Sequence, residues 1–208
     1  MDCVENLLKK TGIAAEEVDI VCVSCSCFAP TPSMAAMLVN RFKFREDVLT
    51  YNLSGMGCSS SLISVDMVKH LLQALPNKLA LVVNHENITN CYYTGTERSY
   101  LLVNCLFRLG GAAALMTNRP KDAARAKYDL KHTLNEKLMV PSRGVLWRFG
   151  NTSAASTWYI LSHIEHHGGL RKGDRIFQLG FGGGFKAISA SWRARRAIKQ
   201  SHTCWPDS

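Results

Sequence analysis

Asp47-Val-Leu-Thr-Tyr-Asn-Leu-Ser-Gly-Met-Gly-Cys58-Ser-Ser-Ser-Leu-Ile-Ser-Val-Asp-Met-Val-Lys-His-Leu-Leu-Gln-Ala-Leu-Pro-Asn77 decides how this chain is read. Asp47 to Asn52 reads as a short strand, and Gly55 and Gly57 allow a tight turn after it. Leu62, Ile63, Val65, Met67, Val68, Leu71, Leu72 and Leu75 occupy more than one helical face, the pattern of a helix sunk in a core, and Pro76-Asn77 stops it. Cys58 stands where that helix begins. Free backbone N–H groups and the positive end of the helix dipole favour the thiolate there, which makes Cys58 the candidate nucleophile and acyl carrier. The plainer alternative is a small buried apolar side chain.

Strands and helices alternate on both sides of this stretch. Residues 2 to 10 form a short amphipathic helix ended by Gly12, and Val18 to Ser24 reads as a buried strand. Ser33 can cap a helix running to about Asn40. Lys78 to Asn84 is nearly uniformly apolar, as in a central parallel strand covered on both faces. His85 to Glu97 reads as a loop, Arg98 to Arg108 as a helix, and Ala112 to Met116 and Ala126 to Leu134 as strands. Further on, a helix runs from Ser156 to about His166, and a strand from Arg175 to Leu179 enters the glycine loop Gly180-Phe-Gly-Gly-Gly184. The fold class is α/β. Residues 1–134 form a first half that carries the cysteine, and 135–208 form a second part.

At 208 residues, 47% apolar and 20% charged, the chain can bury one sizeable core. Eight irregularly spaced cysteines do not make a disulfide scaffold, and the start does not read as a signal peptide; reduced thiols on the cytosolic side are expected. Cys22 and Cys25 form a C-x-x-C with Cys27 close by, but no second ligand pair follows at zinc spacing, so no metal site is assigned. The net charge of +9 includes a cluster at Arg193, Arg195, Arg196 and Lys199. It lacks the interleaved aromatics of a nucleic-acid motif, which leaves a small phosphate ligand, an anionic membrane surface or a solvated basic tail. No apolar run is long enough to span a bilayer, so any membrane contact is peripheral. The glycine loop lacks the G-x-G-x-x-G order of a dinucleotide site.

Five motifs in order carry a resemblance. They are Phe28-Ala-Pro-Thr-Pro-Ser33, Asn52-Leu-Ser-Gly-Met-Gly-Cys58, Asn104-Cys-Leu-Phe-Arg108, Arg148-Phe-Gly-Asn-Thr-Ser153, and Lys172-Gly-Asp-Arg175 with the glycine loop and Phe185-Lys186. Across residues 12 to about 193 the chain resembles the plant 3-ketoacyl-CoA synthases, the condensing enzymes of very-long-chain fatty acid elongation. The resemblance implies a thiolase-like layered α/β/α fold with an incomplete second half. It implies decarboxylative condensation of malonyl-CoA with a long-chain acyl group, without a cofactor. Cys58 then matches the acyl-carrying cysteine, and Asn151 the asparagine that donates to the malonyl thioester oxygen. Gly182, Gly183, Gly184 and Phe185 would close the substrate pocket. Implied partners are acyl-CoA, malonyl-CoA, a second copy or an intact relative, and other elongase components at the cytosolic face of the endoplasmic reticulum membrane; nucleic acid is not among them.

The chain departs from that family in one large respect. The family has a His-Ala-Gly-Gly segment before Arg-Phe-Gly-Asn, whereas here Lys131-His132-Thr133 passes almost directly to Pro141-Ser-Arg-Gly-Val-Leu-Trp147. The resemblance thus implies that the catalytic histidine and much of the acyl-tunnel wall have no counterpart here, and the family's N-terminal membrane-spanning segments are expected to be absent. His85, His132, His163, His166 and His167 are the residues that could stand in. A truncated, impaired protein that pairs with an intact relative is the competing reading, and a thioester hydrolase using Cys58 is a third. Loss of the segment is expected to bare apolar surface on the strands and the buried helix.

Overall fold

The apolar run after Val18 becomes β1 (Ile20–Cys25), with every residue buried. The computed structural model describes residues 1–131, 139–182 and 186–205. β1 lies between β2 (Leu49–Ser54) and β3 (Leu79–Glu86), parallel to both, and β4 (Gly110–Thr117) adds antiparallel to β3, giving the order β2-β1-β3-β4. The long apolar run of β3 thus reflects a central position, although only one of its neighbours is parallel.

Alternate residues of β1 and β3 feed two cores, as the two-residue strand period requires. Val21, Val23, Leu79, Leu81 and Val83 pack with Val4 of α1 (Asp2–Thr11) and with Ala35 and Leu38 of α2 (Met34–Phe42). Ser33 caps α2 by accepting from the Ala36 N–H at 3.2 Å. Ile20, Cys22, Ala80 and Val82 face the other way, onto Val68 and Leu72 of α3 (Ser60–Ala74). Asp19 ties the strand starts together. Its carboxylate accepts from the Leu79 N–H at 2.8 Å, Arg45 at 3.0 Å and Lys78 at 3.2 Å.

The remaining face of α3 meets a second sheet. Leu62 and Val65 pack with Leu161 of α6 (Ser156–His163), Ile176 of β6 (Arg175–Gly182), and Ala190 and Trp192 of β7 (Lys186–Ala194). This sheet is antiparallel, in the order β5-β7-β6 with β5 at Tyr128–Lys131. α3 therefore lies between two sheets, which is why its apolar residues cover more than one face. Asn84 stitches the layers: its amide nitrogen donates to Ser24 Oγ at 2.6 Å and Ser64 Oγ at 3.0 Å, and its oxygen accepts from Trp158 Nε1. A buried amide with three partners costs little and fixes how the layers register.

Two elements were not foreseen, and one expectation is corrected. α5 (Met139–Phe149) carries Pro141 in its first turn, where the missing N–H is tolerated, and Gly144, where a Cβ would stand 3.1 Å from His163 Nε2. It forms by packing against α6 and not by propensity. β7 holds Arg193, so the basic cluster is not a loose tail, although the side chains of Arg193, Arg195, Arg196 and Lys199 are all exposed. Arg195 pairs with Asp129 at 2.8 Å, Ile198 bridges Leu170, and Trp205 is buried against Phe149, His163 and His167. The helix from Ser156 passes into a π-helical turn at Ile164–Gly168. Its buried Glu165 accepts from Lys127 at 3.0 Å and Tyr128 at 2.5 Å, and contacts His202 Nε2 at 2.6 Å.

The exposed apolar surface is only partly where it was expected. α3 stays covered, whereas strands β2 and β6 expose Leu49, Leu179 and Phe181, and further large side chains are exposed on α4 (Arg98–Leu106), on α5 and between α4 and β4.

Candidate active site

β2 delivers Gly55 and Gly57 with φ of 70° and 61°, a left-handed geometry that non-glycine residues resist. Cys58 follows in a single 3₁₀ turn (Gly57–Ser59) that runs directly into α3. The cysteine is half-buried and not mostly buried as its setting implied. Gly182 approaches from the second sheet. A Cβ there would lie 2.5 Å from Ser59 Oγ and 2.6 Å from the Met56 carbonyl oxygen, so only glycine lets β6 close against the cysteine turn. Gly183, Gly184 and Phe185 lie outside the described residues.

Asn151 arrives by a separate route. Its backbone bridges Phe107, with Asn151 N–H donating to the Leu106 carbonyl and Arg108 N–H to the Asn151 carbonyl, each at 2.8 Å. Gly110 admits Thr152, whose Cβ would stand 2.6 Å from an added Cβ. Asn151 Oδ1 accepts from the Ser153 N–H at 2.8 Å, which holds Ser153 at a left-handed φ of 51°. The Ser153 hydroxyl then donates to Cys58 Sγ at 3.0 Å. Cys58 and Asn151 are thus brought together through Ser153, and the Asn151 amide nitrogen has no partner among the described residues.

Behind Ser153 runs a polar chain that sequence reading missed. Ser153 Oγ is 3.3 Å from Ser26 Oγ, and the Ser26 hydroxyl donates to Glu86 Oε1 at 2.5 Å. Glu86 is fully buried. It also accepts from the N–H of Ser26 at 3.0 Å and of Ala154 at 3.3 Å. A buried carboxylate needs donors to replace water, and four do so here, the Cys25 thiol at 3.8 Å being the fourth. The signal lay in the two-residue period: Ser24 pairs with Asn84 in the parallel register, and Ser26 meets Glu86 one step further along the same face. These are the carboxyl ends of parallel strands, where α/β sheets place ligand sites.

Among the described residues, no histidine is hydrogen-bonded to Cys58; the hydrogen bond to it comes from Ser153. His85 alternates to the face of β3 opposite Glu86; burial depresses its pKa and its Nδ1 has no partner. His163, His166 and His167 stack on one another and on Trp205. His132 lies outside the described residues. Burial pushes the Cys22 thiol up to about 12, and no cluster of three or more His, Cys, Asp or Glu among the described residues could hold a metal ion. No described helix is long and apolar enough to cross a membrane.

A helix buried between two sheets is a fold shared with solved structures. One is 1,3,6,8-tetrahydroxynaphthalene synthase from Streptomyces coelicolor A3(2), a bacterial type III polyketide synthase (TM-score 0.74, 22% identity, 93% of this chain and 76% of that one). Another is the C-terminal type III polyketide synthase domain of Steely1 from Dictyostelium (TM-score 0.75, 15% identity, 93% and 75%). The class is thiolase-like, with a mixed α/β fold. Within it, residues 1–139 match the family described as FAE1/Type III polyketide synthase-like protein, and residues 127–194 match the 3-oxoacyl-[acyl-carrier-protein] synthase III C-terminal family. The chain belongs to the FAE1/type III polyketide synthase-like family.

Relatives include 3-ketoacyl-CoA synthase 2 and 3-ketoacyl-CoA synthase 5 of Arabidopsis thaliana. They are 35% and 34% identical, with 95% and 98% of this chain aligned. The chain spans 58% and 63% of their lengths. The first alignment runs over 308 positions against a chain of 208 residues, so at least 100 positions are filled by the relative alone. The two family matches overlap at 127–139, the region where the sequence departs from the family pattern.

Proposed function

We propose that this chain is an acyltransferase of the 3-ketoacyl-CoA synthase type, in which Cys58 takes an acyl group from a long-chain acyl-CoA. The observation that carries this reading is the Ser153 hydroxyl set 3.0 Å from Cys58 Sγ by Asn151. For the thiol to give up its proton, the Ser153 hydroxyl turns from Cys58 toward Ser26, 3.3 Å away, so that Cys58 S–H donates to Ser153, Ser153 to Ser26, and Ser26 to the Glu86 carboxylate. When the sulfur attacks the thioester carbonyl, each proton shifts one place, so Glu86 ends protonated and Ser153 donates to sulfur. CoA thiolate then leaves and takes its proton from Ser153, and the protons of Ser26 and Glu86 move back one place, so Glu86 is again a carboxylate. The relay gives a thiol that lacks a histidine partner a buried carboxylate as its base. No cofactor enters the scheme.

Condensation with malonyl-CoA is the step that this chain performs poorly. Loss of carbon dioxide leaves an enolate whose oxygen needs fixed donors, and Asn151 supplies one where the family uses Asn and His. Losing one such donor lowers the rate by about 100- to 1000-fold. Incubation with a long-chain acyl-CoA should give a thioester on the Cys58 peptide that disappears in Cys58→Ala. Turnover to the 3-ketoacyl product should fall about 100- to 1000-fold below that of an intact relative. Equal labelling of the alanine variant would place the acyl group elsewhere, and turnover near that of the relative would refute the impaired second step.

The exposed edge of β2 offers backbone donors and acceptors to a second copy or to an intact relative, and pairing there is part of the same proposal. By family resemblance, the setting is the cytosolic face of the endoplasmic reticulum membrane.

A further inference from the structure

At the opposite end of the first sheet from β2, helices α4 and α5 present an uncovered face. α4 buries no residue. Arg98, Leu102, Cys105 and Leu106 follow one another at helical spacing along one side of it, Leu109 follows in the link to β4, and Arg143, Leu146 and Trp147 line one side of α5. The two rows meet at an open groove of about 670 Å³ whose lining includes Leu106, Leu109, Leu146, Trp147 and Phe149. Trp147 is 88% exposed and Leu109 61%, with Tyr100 and Leu102 exposed beside them. Large exposed aliphatic and aromatic side chains in one patch mark a contact surface.

Charge identifies the occupant. From Arg98 to Lys121, and again from Met139 to Ile164, the sequence contains no Asp or Glu, while Arg108 and Arg148 line the groove and Arg98 and Arg143 are exposed on α4 and α5. The carboxylate at the edge, Glu97, accepts from Ser99 Oγ at the start of α4. Arg148 is already oriented, its guanidinium 5.6 Å from the Phe149 ring and 5.5 Å from Trp205. A protein partner that buried this patch would have to supply all the acidic groups. An anionic bilayer supplies phosphates at the depth where arginines reach outward, and apolar material where Trp and Leu insert.

We propose that the α4–α5 face is a peripheral docking site for an anionic lipid surface, with Trp147 and Leu109 entering the headgroup boundary and the four arginines meeting phosphates. Such seating would hold the mouth of the groove, which reaches Gly150 beside Asn151, against the membrane where long-chain acyl-CoA collects. This last point rests on the acyltransferase reading; the docking does not.

The test is co-sedimentation of the full chain with phosphatidylcholine vesicles, with and without phosphatidylserine. Binding should require phosphatidylserine and weaken in 0.5 M salt. Each arginine is worth about fivefold in lipid affinity, so Arg143→Glu should weaken binding by at least that factor. Trp158, Trp192 and Trp205 are covered and Trp147 is not, so tryptophan emission should shift to the blue on anionic vesicles, and Trp147→Ala should abolish the shift. Both substitutions are at exposed positions and should leave thermal unfolding unchanged. Equal binding to neutral vesicles, an unchanged Trp147→Ala or Arg143→Glu, or a lipid-free dimer that Trp147→Ala converts to monomer would overturn the proposal. Failure to acylate Cys58 with lipid binding intact would count only against the acyltransferase reading.

Discussion

Ser153 donates its hydroxyl to Cys58 Sγ at 3.0 Å from a backbone held at a φ of 51°. The strain is confined by Asn151 Oδ1, which accepts the Ser153 N–H, so the asparagine shapes the loop with its oxygen, while its amide nitrogen has no partner among the described residues. Asn151→Ala should therefore harm both half-reactions. Condensation should lose about 100-fold or more, and acylation a smaller factor because Ser153 is released. Single-turnover acylation measured beside steady-state condensation separates the two losses; unchanged acylation would mean that the loop holds without Asn151.

Glu86→Gln and Ser26→Ala each interrupt the proton path. Alkylation of the Cys58 peptide by iodoacetamide, followed by mass spectrometry, should slow by roughly 10-fold or more in either variant, within the range expected for removing general-base help. The double variant should be no slower than the single ones, because residues that act as one unit do not add. Additive effects would show that the two residues act separately.

Gly182→Ala forces a methyl group to within 2.5 Å of Ser59 Oγ and 2.6 Å of the Met56 carbonyl oxygen. The β6 end must move off the cysteine turn, at a cost of roughly 1–3 kcal/mol in stability. Urea unfolding should show that loss, together with slower Cys58 acylation. An alanine variant of unchanged stability would mean that the sheet and the turn are not in contact in solution.

Glu165 gives the chain an acid limit. Burial acts to raise its pKa, but His202, Lys127 and Tyr128 outweigh that and hold it at about 2 against an ordinary 4.5. A carboxylate depressed in the folded state contributes stability above its unfolded pKa and loses it as pH falls through the folded one. Stability should therefore decline from about pH 4.5 downward, and Glu165→Gln, less stable at neutral pH by roughly 1–3 kcal/mol, should flatten that decline. Thermal melts across this range would show it.

How much was legible in the sequence follows the physics of each segment. β1, α3 and β3 were readable because burial on both faces leaves long apolar runs, and Cys58 because two glycines and a helix start have a local signature. Asn151 was found by resemblance to a family motif. Ser26 and Glu86 were missed because a serine in a cysteine-rich strand and a glutamate at a strand end have meaning only once parallel pairing sets them side by side. α5 was missed because Pro141 and Gly144 argue against a helix until α6 offers a surface for it. β7 was missed because a run of basic residues hid the alternation of Ile188, Ala190, Trp192 and Ala194.

Asn84 has a consequence for how the halves are linked. Its three hydrogen bonds join β1, α3 and α6, and none involves residues near the 127–139 junction where the two family matches overlap. The seam between the halves is thus encoded by segments that survive when a hundred positions of a relative have no counterpart. Two layers fixed by one buried amide can therefore keep their register while the length of chain between them varies, so that the link between the halves is free to change without unpicking the seam.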